Sequence, residues 1–396
     1  MKFLTALASL SISCLIFKYE CENSLFGIEK CAILVLKRGK VVKSEGIKLP
    51  DNRKMRSLNE NEEYKYLGIM QVAQIKQKEM KEKVGNEYKR RVRKLLETKL
   101  NGQNVINAIN TWAIPLLRYS AAFLGWTKEE IHQLDRKTRK LLTMHGALHP
   151  KSNVDRLYIP RKEGGRGLLN VEDVINLAVI GLERYVCNSN ERLLTAARAA
   201  NEFEGDSETE YKLRKKNERC KAWKEKTLHG QFLRQKESEA GNDRWNWLRN
   251  TGIKRGTESM IMAAREQAIR TNVVKAKIDK TQEESKCRMC GQVDETVNHI
   301  ISECSKLAQK GYKRRHDWVG KRIHWEVCRK NGIEVKPKWY EHQPEAVQEN
   351  ERCKISWEFN IQTDHMIEAR RPDMIMIDRK QSSPKSSTLP FPIIRE

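Results

Sequence analysis

Three cysteines and a histidine stand at Cys287, Cys290, His299 and Cys304, a C-x2-C-x8-H-x4-C spacing inside CRMCGQVDETVNHIISEC. Thiolates and an imidazole together close a tetrahedral shell, the arrangement of structural zinc; a catalytic zinc keeps one position open. The first pair suits one tight turn with Gly291 behind it, and His299 and Cys304, five apart, suit a single helical turn. Chance clustering of reduced cysteines is the alternative, yet all four positions carry a ligand type. The expectation is one structural zinc ion. Further along, Asp373 stands between Pro372 and the apolar run 374–377. One carboxylate by itself holds no divalent ion, and a second would have to return to it. Asp378, in Asp378-Arg379-Lys380, is an odd number of residues further along. Odd spacing sends strand side chains to opposite faces, so the two are expected not to share an ion, and 378–380 to turn the chain.

The surroundings favour a polyanionic partner. The 396 residues hold 76 Lys plus Arg against 52 Asp plus Glu, a net charge of +24, and such a field recruits nucleic acid, RNA, DNA or a hybrid duplex. A solvated surface without a partner is the competing account of charge alone. Downstream of the cluster, 306–330 carries nine Lys or Arg against two acids, with Tyr312, Trp318 and Trp325 interleaved. Cations beside aromatics suit phosphate contact plus base stacking, with Lys313, Arg314, Arg315, Lys321 and Arg322 as the contact residues. The aromatics suit packing against the knuckle equally well. A second basic stretch, 76–99, has ten Lys or Arg and four Glu. Arg90, Arg91 and Arg93 can track a phosphate backbone there, although Glu–Lys pairing on a solvated helix fits the same composition.

Ten cysteines spread over this length form no dense disulfide framework, which favours a reducing compartment. The opening MKFLTALASLSISCLIF resembles a signal peptide but lacks a clear cleavage site, and no later apolar run is long enough to span a membrane. Secretion or membrane anchoring is therefore the alternative, and an intracellular, nuclear location without membrane contact the expectation.

The elements that position these residues read as mostly helical α+β. Residues 32–45 suggest a hairpin about Lys37-Arg38-Gly39, and 64–69 a third short strand. A basic helix is expected over 71–100. A more apolar one follows at 104–123, interrupted at Pro115. Thr127 and Glu130 form a capping box for a helix to about His145, and Asn170 or Asp173 starts another to Val186. Between them, RKEGGRGLLNVED at 161–173 must turn tightly but lacks the Gly-Lys-Ser/Thr of a phosphate loop. From 190 to 280 the sequence is charged and helical, either a compact linker or an extended arm.

In order, FGIEKCAILVLKRGK, EYKYLGI, NGQNVINAIN, LDRKTRKLLTMHGALHPKSNVDRLYIPRKEGGRGL, the cysteine cluster with YKRRHDW, and DHMIEARRPDMIMID resemble the C-terminal part of a non-LTR retrotransposon reverse transcriptase polyprotein of the restriction-like endonuclease class. The resemblance covers roughly residues 26–380 and rests on motif order. It implies a residual palm hairpin and primer grip over 26–70, with Tyr66 and Gly68 in the grip, and a helical thumb over 71–189. A helical linker over 190–280 and a zinc knuckle with its basic segment over 281–335 follow. A truncated endonuclease-like α/β segment over 336–380 comes next, beginning its core at Asp373; 1–25 and 381–396 stay unmatched.

The departures limit the chemistry. The family's polymerase holds two metal ions on an Asp-Asp turn, and no Asp-Asp pair occurs in this chain. The nuclease needs a second strand with its own carboxylate, and SSPKSSTLPFPIIRE after 381 offers no such strand. The expectation is a nucleic-acid-binding fragment with both centres incomplete and Asp373 as a residual catalytic position. A functioning polymerase or endonuclease component, with Mg²⁺, is the rival reading.

Overall fold

The computed structural model describes residues 32–33, 35–37, 40–42, 44–48, 53–59, 62–66, 68–71, 75–199, 207–235, 245–250, 252–358, 373–379 and 383–387. The apolar N-terminus, the start of the expected palm remnant at 26–31 and most of DHMIEARRPD lie outside them. The chain divides into two compact units, Met1–Ala268 and Ile269–Glu396. The described part is mostly helical with small sheets, an α+β composition.

The first unit begins with short strands. β1 (Ala32–Ile33) pairs parallel with β5 (Lys54–Ser57), which pairs antiparallel with β4 (Ile47–Lys48). β2 (Leu36–Lys37) and β3 (Lys40–Val41) form the expected hairpin. The single strand expected at 64–69 is instead a second hairpin, β6 (Tyr64–Tyr66) with β7 (Ile69–Gln71). The cause is Gly68, whose φ of +86° reverses the chain in a conformation that a side chain disfavours.

Helices supply the core. α1 (Gln77–Glu97) buries Met80, Tyr88, Val92 and Leu96, spaced eight, four and four apart on one face. α2 (Gly102–Ala108) runs through a wide i→i+5 turn at Ile109–Ala113 into α3 (Ile114–Ala121). Pro115 falls in the first turn of α3, where its missing N–H costs nothing. α4 (Lys128–Met144) starts on the Thr127–Glu130 capping box, with both reciprocal bonds present. α5 (Val154–Tyr158) precedes the glycine-rich junction, and α6 (Val171–Asn188) is capped by the Asn170 side chain. Tyr88, Leu96, Ile109, Leu117, Leu142 and Val174 meet in one cluster.

The charged stretch after 190 packs as α7 (Arg192–Ala199), α8 (Glu208–Glu225), α9 (Gln231–Gln235), α10 (Asn246–Asn250) and α11 (Arg255–Arg265). It is no extended arm, because α8 lies on α5 and α6. The tryptophans that the sequence left unplaced explain why. Arg156 is 1% exposed, with its guanidinium 4.7 Å from the Trp223 ring and 5.5 Å from that of Trp245. It donates to Gly164 O at 2.8 Å and to Glu266 Oε1 at 3.0 Å, while Glu266 Oε2 accepts from Asn153 N at 2.8 Å. Arg161 grips Glu258 through two nitrogens, at 3.1 and 2.7 Å, and Leu248 O with the same side chain. The junction carries these arginines because its glycines permit close approach: a Cβ on Gly165 would sit 1.9 Å from Ile159 O.

In the second unit, α12 (Lys313–Lys330) packs on an antiparallel sheet ordered β11–β10–β9–β8. The strands are β8 (Val347–Glu349), β9 (Cys353–Trp357), β10 (Met374–Asp378) and β11 (Ser383–Ser387). Cys328, Cys353, Ile355 and Met374 form its core, with Ile323 and Val327 against them, across position 335 where the sequence reading drew a boundary. A strand, β11, does follow Gln381, but it is not the carboxylate-bearing second strand expected to be absent there. Ser-Pro-Lys-Ser-Ser pairs along β10 throughout and carries no carboxylate. Gly320 makes the helix–sheet contact, since a Cβ there would meet the Trp357 ring at 2.1 Å. Beneath it, His324 (0% exposed) contacts His342 (3%), Nδ1 to Nε2, at 2.9 Å.

Two outcomes follow from these buried groups. Arg156→Met strands Glu266 without its cation and should cost the first unit about 3–5 kcal/mol, read as a lower urea midpoint by tryptophan fluorescence. Burial, then the neighbouring His342, pushes His324 down to about 4. The unfolded chain therefore binds the proton first as pH falls below the ordinary value, 6.5. Stability of the second unit should be full above pH 6.5 and decline toward about pH 4, a loss that His324→Gln should blunt in thermal melts across that window.

Candidate metal centre

The cysteine cluster is built on a two-ended clasp. Lys286 and Asp294 form an isolated antiparallel bridge, and Cys287 N donates to Val293 O at 2.8 Å, closing a loop around the first two cysteines. Gly291 takes φ +70° and donates to Cys287 O at 2.8 Å. This is the tight turn expected of the C-x2-C pair. His299 opens a wide turn over His299–Glu303, its N–H held by Thr296 Oγ1 at 3.0 Å, and Cys304 caps that turn. The single-turn expectation for His299 and Cys304 therefore has its counterpart here.

One ligand atom from each of Cys287, Cys290, His299 and Cys304 lies within 4.8 Å of the others, and the set could hold a metal ion. Cys287 Sγ is 4.0 Å from Cys304 Sγ, and Cys290 Sγ is 3.3 Å from His299 Nε2. A tetrahedral ion with sulfur bonds of ~2.3 Å separates its ligands by roughly 3.5–3.8 Å, so these spacings bracket a zinc shell. Among the described cysteines none forms a disulfide. Met289 N–H points at Cys287 Sγ from 3.4 Å. Backbone N–H groups of Gln292 and Val293, followed by His299, hold the Cys290 thiol down at about 6, whereas burial pushes Cys304 up. Thiolates gathered this closely repel one another unless a cation joins them.

Two residues hold the clasp: Glu295, which the sequence reading did not single out, and Tyr312, which it counted among the interleaved aromatics. Glu295, fully buried, receives the Arg288 guanidinium through Nε at 2.8 Å and Nη2 at 2.5 Å. It also accepts the backbone N–H groups of Arg288 and Asn272, both at 3.0 Å. Burial alone would raise this carboxyl, but these four donors overcome it and hold it at about 2. Tyr312 is the second. Its hydroxyl accepts from Cys304 N at 2.9 Å and donates toward His299 O and Ile300 O, each at 3.1 Å. It is thus packed on the knuckle rather than offered for base stacking. A signal was present in its place eight residues after Cys304, but nothing local distinguishes a hydroxyl turned inward.

The basic residues expected to make contacts separate by environment. Lys313 and Arg314 are exposed and carry no ion pair among the described residues. Arg315 lies over the Tyr312 ring at 4.8 Å and donates to Ile301 O. Arg322 is shared by Glu326 at 2.8 Å and the Trp325 ring at 5.0 Å, and Lys321 is half-buried. Trp325 is buried and bonded to Lys336 O, while Trp318 is 55% exposed. On α1, Arg90 and Arg91 both pair with Glu87, Arg91 also reaches Trp112 O at 2.8 Å, and Arg93 points outward. Gly68 occupies the β6–β7 turn with open space beside it, and Tyr66 lies in the paired β6 backbone. Asp373 sits just ahead of β10 with its Oδ1 2.9 Å from His316 Nε2; Asp378 ends the same strand opposite Cys353.

No known protein family's sequence profile matches the chain, and no curated protein matches it in sequence. No helix among the described residues is long and apolar enough to cross a membrane.

Purified protein should carry one zinc per chain by elemental analysis. Cys304→Ser should abolish that metal, and chelation should remove amide-exchange protection over 285–312, because thiolate ligation couples metal to local folding.

Proposed function

We propose that the chain is a nucleic-acid-binding segment of a non-LTR retrotransposon reverse transcriptase polyprotein of the restriction-like endonuclease class. Zinc is the structural occupant of the Cys287–Cys290–His299–Cys304 cluster. Within this reading, 26–70 corresponds to the palm edge with Tyr66 and Gly68 at the primer grip, 71–189 to the thumb, and 190–280 to the helical connection. Residues 281–335 are the knuckle with its basic segment, and 336–380 enter the endonuclease fold at Asp373.

The observation that carries the proposal is a closed Cys3His cluster tied by Tyr312 to the start of a helix whose next two residues, Lys313 and Arg314, are exposed cations. Such a helix meets phosphates through its free charges, while the exposed Trp318 offers an aromatic surface one turn on. Motif order along the sequence supplies the family; the cluster supplies the chemistry. On the same basis the protein works inside the cell, at the nucleus, where its positive field meets nucleic acid.

On this reading neither reaction of the family has its usual arrangement of carboxylates among the described residues. There is no Asp-Asp pair for the polymerase ions. For the nuclease, Asp378 lies five residues from Asp373, about 16 Å along an extended strand, and β11 brings no acid to either. The purified chain is expected neither to extend a primed RNA template nor to nick a duplex in Mg²⁺ or Mn²⁺. Nicking lost in Asp373→Ala would restore the enzymatic reading.

Binding should be sequence-tolerant and steeply salt-dependent. Removing Lys313 and Arg314 together by alanine should weaken affinity at every sequence and lower the log–log salt slope by about 2, one per phosphate contact. A slope equal to that of the unaltered chain would take this helix face out of the interface.

A further inference from the structure

The segment beyond α12 brings two more aromatic side chains to that helix. Trp325 Nε1 donates to Lys336 O at 2.7 Å, and His342 meets the buried His324 at 2.9 Å, so residues 336–342 are fastened to the helix at both ends. Trp339 and Tyr340 therefore stand in a fixed place. Trp339 packs perpendicular to Trp318 with ring centroids 5.2 Å apart, and Tyr340 packs perpendicular to Trp339 at 6.0 Å. The Arg322 guanidinium lies over both the Trp325 ring, at 5.0 Å, and the Trp339 ring, at 5.6 Å. The rings of Trp318, Trp339 and Tyr340 thus form one ridge.

Trp318 is 55% exposed and Tyr340 52%, so each keeps more than half its surface in water. Large apolar groups gathered at a surface mark a docking site. Charge tells the kind of occupant. Arg314, Trp318 and Arg322 follow one another at intervals of four along one helix face, and the Lys338 ammonium lies over the Tyr340 ring at 5.7 Å. The acids beside the ridge are already engaged: Glu326 by Arg322 and Arg329, Glu341 by Lys338, and Asp317 by His316. Arg314 and Lys321 have no carboxylate partner among the described residues. An apolar protein surface would leave these cations without countercharge. A single strand of nucleic acid answers both features, its phosphates meeting the cations and its unpaired bases the rings. A duplex keeps its base faces inside its own stack.

We propose that Trp318 and Tyr340, braced by the half-buried Trp339, form a stacking platform for unpaired bases, which makes this face of the second unit a reader of single-stranded nucleic acid. The inference rests on the nucleic-acid reading above and specifies the form of the strand. Rings held in place by the two anchors of 336–342 lose little freedom when a base arrives. Every base has a π-face, so the platform sorts strandedness and not sequence.

The test is fluorescence anisotropy of the full chain with three probes of equal length: an oligothymidylate, its abasic counterpart and a duplex. The oligothymidylate should bind about tenfold tighter than the abasic strand, which keeps the phosphates and lacks the bases. Trp318→Ala should remove that advantage and leave affinity for the abasic strand and the duplex unchanged, while Trp318→Phe should restore most of it. Equal affinity for the two strands, or an advantage that survives in Trp318→Ala, overturns the platform and leaves the nucleic-acid reading standing. Failure to bind any probe overturns both. Self-association of the chain that disappears in Trp318→Ala would give the ridge to a second copy and likewise overturns the proposal. The comparison with the abasic strand uses the unaltered chain, so it decides even where a variant fails to fold.

Discussion

A charge can enter this protein's interior only with its countercharge, and that constraint organises both units. Desolvating a lone ion costs several kcal/mol even after relaxation, so each must arrive paired and hydrogen-bonded. In the first unit Arg156 meets Glu266 and two indole faces, and Arg161 meets Glu258. These pairs bring the 153–167 junction, α8 and α11 together, so a stretch that reads as polar linker becomes part of one body. In the second unit Glu295 meets Arg288 at the neck of the cysteine clasp, and the thiols themselves call for a cation. A consequence is that the 76 Lys plus Arg overstate the cations offered to a partner, while the net charge of +24 is left almost intact because the buried arginines take carboxylates in with them. Arg156, Arg161 and Arg166 are committed inside.

The basic helix α12 shows how one element serves two demands. Gly320, His324 and Cys328, each four apart, face the sheet, and Trp325 is buried beside them. Arg322 and Arg329 lie over that tryptophan, so their cationic heads cover apolar surface rather than stand free. Of the three aromatics interleaved with the cations, Tyr312 and Trp325 are structural, and Trp318 remains at the surface with its ring edge against Trp339. Interleaving of cations and aromatics in sequence is therefore not itself an interface; the helical period decides which members reach solvent.

Features whose causes are local were legible from the sequence. The Thr127–Glu130 box, the Asn170 cap, the restart at Pro115 and the tight glycine turns depend on residues within one turn of each other, and the Cys3His set on residues within one short stretch of 18. What escaped depends on partners far along the chain. Glu266 is 110 residues from Arg156, and Trp245 closes on Gly164 from 81 positions away. The Trp318–Trp339 contact requires the helix and the segment beyond it at once. β11 escaped for the opposite reason: Ser-Pro-Lys-Ser-Ser has no strand pattern, and its pairing with the apolar β10 overrides that preference. Gly68 was readable as a glycine but not as a reversal, since the same residue fits a bulge.

The Tyr312 hydroxyl has a thermodynamic consequence. It bonds to the backbone of Cys304 on one side and of His299 on the other, and α12 begins at the next residue. Metal occupancy and the ordering of that first helical turn are therefore linked equilibria, sharing one hydroxyl. Linkage is reciprocal. If a polyanion grips the ordered turn, as the proposed function has it, then whatever factor the ion lends to the polyanion, the polyanion returns to the ion, and a chain so engaged would release metal to a chelator more slowly than a free one.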